Sequence, residues 1–197
     1  MNLPNTLTLT RIILTPFFVL AILWNFPFHY LVALVIFSIA SITDMLDGKI
    51  ARSRNLVTNF GKFCDPLADK ILVLSALLCF VQNNLCSCII VIIVLFREFA
   101  VSSIRLLAAA EGKVVAANMW GKVKTVTQII SIILIFVLQF VLELMIMGII
   151  PISPEGIEIS STIFCLIGEI ALWISTIFCI ISGVIYIIDN KKFISQK

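Results

Sequence analysis

Six apolar runs, at about 11–28, 30–52, 66–82, 87–110, 124–150 and 160–188, fill most of this chain of 197 residues. Each is close to the ~20 residues that cross a bilayer as a helix, and backbone in hydrocarbon has to satisfy its own hydrogen bonds. The pattern predicts an all-α integral membrane protein: six transmembrane helices in a bundle, one domain over 1–197. The second run is apolar only to Ile42, and its last turns are polar. Breakers fall where connections are expected, at Asn25 and Pro27, Asn83 and Asn84, Gly112, and Pro151, Pro154 and Gly156. With 61% hydrophobic and only 13% charged residues, the chain lies far from soluble domains at ~45–50% and ~25%. Disorder, a coiled coil and a nucleic-acid partner are excluded on the same ground.

Charge placement sets the expected orientation. Arg11 opens the first run. Lys49, Arg52, Arg54, Lys62 and Lys70 surround the second connection, Arg105, Lys113, Lys122 and Lys124 the fourth, and Lys191, Lys192 and Lys197 close the chain. The first, third and fifth connections hold no Lys or Arg, and the fifth carries Glu155 and Glu158. An even number of spans puts both termini on one face, and the positive-inside rule makes that face cytoplasmic. Segment 1–10, with Leu3, Leu7 and Leu9 among polar residues, is expected as a short interfacial helix or as the start of the first span. No cleavable signal peptide is expected, because Arg11 leads into an apolar run without a small-residue cleavage site.

Cys64, Cys79, Cys86, Cys88, Cys165 and Cys179 mostly sit in or beside apolar runs without a CxxC pair, so neither a disulfide framework nor a zinc site is expected. His29 is the only histidine and lies between two runs, which argues against histidine-based chemistry.

The carboxylates carry the chemistry. Asp44 and Asp47 stand at i, i+3, and Gly61, Asp65 and Asp69 at i, i+4, i+8, so two helix ends can present four carboxylates together. Ionised carboxylates near hydrocarbon are costly unless paired. Two divalent cations would balance four of them, and hard oxygen donors suit Mg²⁺ or Mn²⁺. The plain alternative is a set of interfacial loop charges paired with Lys49, Arg52, Lys62 and Lys70. Asp65 before Pro66 also reads as a helix N-cap with proline at the first helical position.

From Asp44 to Asp69 the pattern is D-x2-D-G-x2-A-R-x8-G-x3-D-x3-D. It resembles the signature of the CDP-alcohol phosphatidyltransferase family at every defined position, and the resemblance extends to six-helix membrane proteins of about this size. The resemblance implies two Mg²⁺ or Mn²⁺ ions on Asp44, Asp47, Asp65 and Asp69, with Asp69 as general base. It implies CDP binding at Asp44, Gly48, Ala51, Arg52 and Gly61. Gly48 and Ala51 clear side-chain bulk from a nucleotide's approach, and Arg52 offers a planar donor set to a diphosphate. Family members are commonly homodimers, although no GxxxG pair marks an interface in this chain.

A second polar constellation occupies the fourth span and the entry to the fifth. Arg97 is too deep to be free, and Glu98 is adjacent to it. Glu98, Ser102 and Arg105 share a face at i, i+4, i+7, while Lys122 and Lys124 enter from the cytoplasmic side. Arg105, Lys122 and Lys124, with Ser102 and Arg97, are expected to bind the phosphate of an anionic acceptor; a buried structural pair with ordinary cytoplasmic lysines is the alternative. The segments REFAVSSIRL and WGKVKT, and the opening PNTLTLTR, resemble the phosphatidylglycerophosphate synthase branch of the family. That branch implies transfer of the phosphatidyl group of CDP-diacylglycerol to sn-glycerol 3-phosphate, with release of CMP, on the cytoplasmic side of the cell membrane. Inositol phosphate, serine or phosphatidylglycerol as acceptor, or a cation transporter with an acidic intramembrane site, are the competing readings.

Overall fold

The computed structural model describes the backbone of residues 3–54, 59–110 and 119–191, and the side chains of 9–43, 68, 70–109 and 119–191. Six helices make up the described chain: α1 (Leu3–Leu23), α2 (His29–Arg54), α3 (Asn59–Gln82), α4 (Cys88–Ala110), α5 (Met119–Ile146) and α6 (Pro154–Asp189). No strand occurs among the described residues.

The helix count matches the apolar runs, and the bounds differ where polar residues extend a helix. From Leu3 onward the opening segment is the start of α1 itself rather than a separate surface helix. Pro4 falls in the first turn, where no N–H is needed. Asp65 is not an N-cap: α3 begins at Asn59, itself a cap-forming residue type, and runs on through Pro66. The start of α6 lies six residues before the apolar run. Ser153 caps it, accepting from the Gly156 N–H at 3.2 Å, with Pro154 and acidic Glu155 opening the first turn. Pro154 and Gly156 therefore belong to the helix, not to the connection.

Helices α5 and α6 are long and apolar enough to cross a membrane. At 36 residues α6 spans ~54 Å by its rise per residue, well beyond a ~30 Å hydrocarbon core. Shorter apolar helical stretches are Leu9–Leu23, His29–Thr43 and Lys70–Gln82. Large apolar side chains cover the outside, among them Phe17, Phe96, Phe99, Leu106, Ile130, Ile159 and Ile177. An apolar exterior on this scale suits lipid rather than water.

Inside, Phe18 of α1, Phe37 of α2, Phe80 of α3 and Phe136 of α5 are fully buried and meet ring to ring. Phe136 lies 5.0 Å from Phe80, 5.8 Å from Phe18 in an edge-to-face contact, and 6.0 Å from Phe37. This junction ties four helices together. Helix α6 joins through small residues: Gly168, Ser175, Thr176, Cys179, Ser182 and Gly183 lie on its buried face. A Cβ on Gly168 would stand 2.9 Å from Ile135 Cγ1, and Ser131 Oγ donates to the Ala171 carbonyl at 2.9 Å. Close backbone approach of this kind stands in for the missing hydrophobic drive between helices in lipid.

Candidate active site

The alternating helices bring the start of α3, the end of α4, the start of α5 and the end of α6 to one end of the bundle. Asp44 and Asp47 fall in the last three turns of α2, Asp65 and Asp69 in the first half of α3. Each pair lies in an unbroken helix, so the i, i+3 and i, i+4 spacings do place partners on one face. The side chains of the four aspartates, and the environment of Gly48, Ala51, Arg52 and Gly61, lie outside the described residues. Among described residues, no three His, Cys, Asp or Glu side chains form a metal-binding group. The donor set of the aspartate motif, carboxylates only on two consecutive helices, is of the hard-oxygen type that Mg²⁺ or Mn²⁺ takes.

Lys70 follows Asp69 directly and is fully described. Its Nζ donates to the Glu98 carbonyl at 3.2 Å and to Ser102 Oγ, and lies 3.9 Å from Glu98 Oε2. Glu98 Oε1 accepts from Lys124 Nζ at 2.5 Å and from Arg97 Nη1 at 2.9 Å. Arg97 Nη2 donates to Ser182 Oγ on α6 at 2.7 Å. Ser102 Oγ donates to the Glu98 carbonyl at 2.7 Å, which fixes it beside Lys70. Among the described residues, one carboxylate thus stands among three cations contributed by α3, α4 and α5, an excess of two positive charges. Arg97 Nε is buried and has no hydrogen-bond partner. A donor in that state is suited to an anion.

Of the residues expected to bind an acceptor phosphate, Arg97, Ser102 and Lys124 come together around Glu98. Arg105 is held two turns further along α4: its Nε donates to Tyr186 Oη at 3.3 Å and its guanidinium stands 5.6 Å from that ring's centroid. Lys122, two residues from buried Lys124 and so on the other side of α5, is exposed. The central place of Glu98 and the part played by Lys70, Ser182 and Tyr186 were not legible in the sequence. Glu98 carried a local signal, since Ser102 follows it at i+4, but nothing local pointed to Lys70. Gly183 gives Arg97 its room, because a Cβ there would stand 3.0 Å from Arg97 Cγ.

The opposite end of the bundle is built differently. Glu143, near the end of α5, accepts from the Phe28 N–H at 2.6 Å and pairs with His29 Nδ1 at 3.1 Å. Phe28 has φ +65, a conformation rare for a bulky side chain, and this bond helps to hold it. The contact pins the α1–α2 connection to α5. His29 is thereby a structural partner of Glu143.

The chain matches the family model described as CDP-alcohol phosphatidyltransferase over residues 1–181. It is similar to a protein of Bacillus subtilis named CDP-diacylglycerol--glycerol-3-phosphate 3-phosphatidyltransferase, 42% identical over 96% of this chain and 95% of that one. A Rickettsia bellii protein of the same name is 36% identical over 98% and 97%. A Mycobacterium tuberculosis protein named probable phosphatidylglycerophosphate synthase is 39% identical over 66% and 64%. With a family model spanning most of its length and relatives matched almost end to end, this chain belongs to the CDP-alcohol phosphatidyltransferase family.

Proposed function

We propose that this chain is a membrane enzyme that transfers the phosphatidyl group of CDP-diacylglycerol to sn-glycerol 3-phosphate, giving phosphatidylglycerophosphate and CMP. Six helices span the cell membrane, both termini are cytoplasmic, and the active site opens to the cytoplasm, where the positive charges gather. The near full-length similarity to proteins named for this reaction supports the chemistry. The observation in the structure that supports a phosphorylated acceptor, glycerol 3-phosphate or inositol phosphate alike, is the cluster of Lys70, Arg97 and Lys124 around Glu98. It adjoins Asp69 in sequence through Lys70, and the two surplus positive charges among its described residues match a phosphate monoester dianion. A neutral acceptor such as serine has no need of them.

In this reading Asp69 takes the proton of the primary hydroxyl of glycerol 3-phosphate. The freed oxygen attacks the lipid-side phosphorus of CDP-diacylglycerol, the bond from that phosphorus to the bridging oxygen breaks, and CMP leaves. Arg52 binds the diphosphate, and the small residues Gly48, Ala51 and Gly61 leave space for the nucleotide. Asp44, Asp47, Asp65 and Asp69 would hold two Mg²⁺ or Mn²⁺ ions, which when bound neutralise the diphosphate and stabilise charge on the leaving phosphate. Arg97 and Lys124, with Ser102, bind the acceptor phosphate and orient the hydroxyl, while Arg105, held by Tyr186, lies nearer the cytoplasm and Lys122, on the other side of α5, takes no part in that contact. Assembly as a homodimer belongs to the same reading and rests on the family resemblance.

The test is purified protein in liposomes with CDP-diacylglycerol, divalent metal and a panel of acceptors, with the lipid product identified by mass. Phosphatidylglycerophosphate as the main product is expected. A product in which the phosphatidyl group is joined to serine, inositol phosphate or phosphatidylglycerol overturns the acceptor, and no CMP release with any acceptor overturns the reaction.

A further inference from the structure

Among the described residues, Glu98 is the one acidic side chain at the meeting point of the cationic residues. Its side chain is 15% exposed and that of Lys124 is 7% exposed, so the pair is largely removed from water. Lys124 is held by its bond to Glu98, whereas Arg97 has a second anchor in Ser182 and Lys70 a second anchor in Ser102. The main chain of the same residue takes part as well, since the Glu98 carbonyl accepts from both Lys70 and Ser102. One turn of α4 therefore fixes a cation from α5 and the residue that follows Asp69 in α3.

We propose that Glu98 is a positioning residue for the acceptor: its carboxylate holds Lys124 and Arg97 in the geometry that receives the acceptor phosphate, and its turn of α4 clamps Lys70 so that phosphate and Asp69 keep a fixed separation. The inference rests on the function proposed above and adds to it a residue that does not itself touch substrate. A cluster of three like charges without Glu98 would splay, because the cations repel one another in a poorly solvated setting. With Glu98 in place the cations are pre-organised, and the acceptor meets the enzyme without first having to order them.

The prediction separates the two substrates. Glu98→Gln keeps the shape and removes the charge. It is expected to raise the KM for glycerol 3-phosphate by ~10–100-fold, the scale of a lost charge-assisted hydrogen bond, while the KM for CDP-diacylglycerol changes by less than about two-fold. Lys124→Gln should give a similar loss. The double variant Glu98→Gln/Lys124→Gln should lose little more than either single one, because the two side chains act as a unit. The double variant also restores the charge balance, so it keeps the test usable if Glu98→Gln alone does not fold. A merely structural Glu98 would lower Tm and affect both substrates alike.

Equal changes in both KM values, additive losses in the double variant, or an unchanged acceptor KM in a folded variant each overturn the proposal. If the unmodified protein releases CMP with glycerol 3-phosphate and a folded variant behaves in one of these ways, only the role of Glu98 fails. If the unmodified protein makes no phosphatidylglycerophosphate, it is the proposed function that fails.

Discussion

Lys124 of α5 donates to Glu98 of α4 at 2.5 Å, inside a bundle whose outer surface is apolar. Buried ion pairs are weak evidence for stability, since desolvation offsets much of the attraction. Breaking one by removing a single partner is a different matter and typically costs ~3–5 kcal/mol. In the proposed function the pair is part of a receptor for a doubly charged phosphate, on helices packed beside the one that carries Asp65 and Asp69.

Asp69→Asn is expected to abolish turnover while leaving much of the affinity for CDP-diacylglycerol. An amide does not take a proton, and loss of a general base alone costs ~10²–10⁴-fold in rate. In the proposed metal site the other three carboxylates would remain. Steady-state kinetics together with binding of a non-reacting CDP ligand check this; a variant that keeps about a tenth of normal activity removes Asp69 from the role.

Gly183→Ala tests the seat of Arg97. The new methyl would meet Arg97 Cγ at 3.0 Å, so the arginine has to shift from Ser182 and Glu98. Overpacking of this kind costs ~1–3 kcal/mol. A lower Tm with a raised acceptor KM is expected, and a variant with unchanged Tm and unchanged kinetics contradicts this packing.

How much of this was legible in the sequence follows from where the information resides. Helix number was readable because apolar length is a local property. The start of α6 was misplaced by six residues because Pro154, Glu155, Gly156 and Glu158 read as connection, although Ser153, Pro154 and Glu155 together are a cap signal. The start of α3 was misplaced because Pro66 looked like a first-turn proline. The aspartate motif was readable as a pattern of spacing along two helix ends. The Glu98–Lys70 and Glu98–Lys124 contacts were not, since they join residues 28 and 26 apart across helix interfaces. Lys122 and Lys124 looked equivalent in sequence, and only helix rotation buries one and exposes the other.

The two cysteines beside the α3–α4 connection should differ in reactivity. Cys88 is exposed, while Cys86 is buried, and burial, with the nearby charges of Glu169 and Cys88, pushes the Cys86 thiol up to about 12. A raised pKa keeps the thiol protonated, so its thiolate fraction at pH 8 is ~10⁻⁴. In detergent-solubilised protein, labelling of Cys86 should be slow and should rise about tenfold per pH unit between pH 7 and 10 without a plateau. A plateau below pH 9, or labelling as fast as Cys88, contradicts this environment.

Orientation is open to a direct check in intact cells. In a background without native cysteines, Asn84→Cys and Gly156→Cys should react with an impermeant thiol reagent applied outside. Met119→Cys, at the exposed start of α5, should react only after the cells are opened. The reverse pattern would put the cationic cluster on the outer face, away from a cytosolic acceptor.

The measurement that bears most directly on the central claim follows one oxygen atom. sn-Glycerol 3-phosphate carrying ¹⁸O in its primary hydroxyl is supplied to the enzyme with CDP-diacylglycerol and divalent metal, and CMP and the lipid product are weighed by mass spectrometry. Attack of the acceptor oxygen on the lipid-side phosphorus predicts phosphatidylglycerophosphate that retains the ¹⁸O, with unlabelled CMP formed in equal amount. Label appearing in CMP, or CMP released without a labelled lipid, would contradict phosphatidyl transfer by this route.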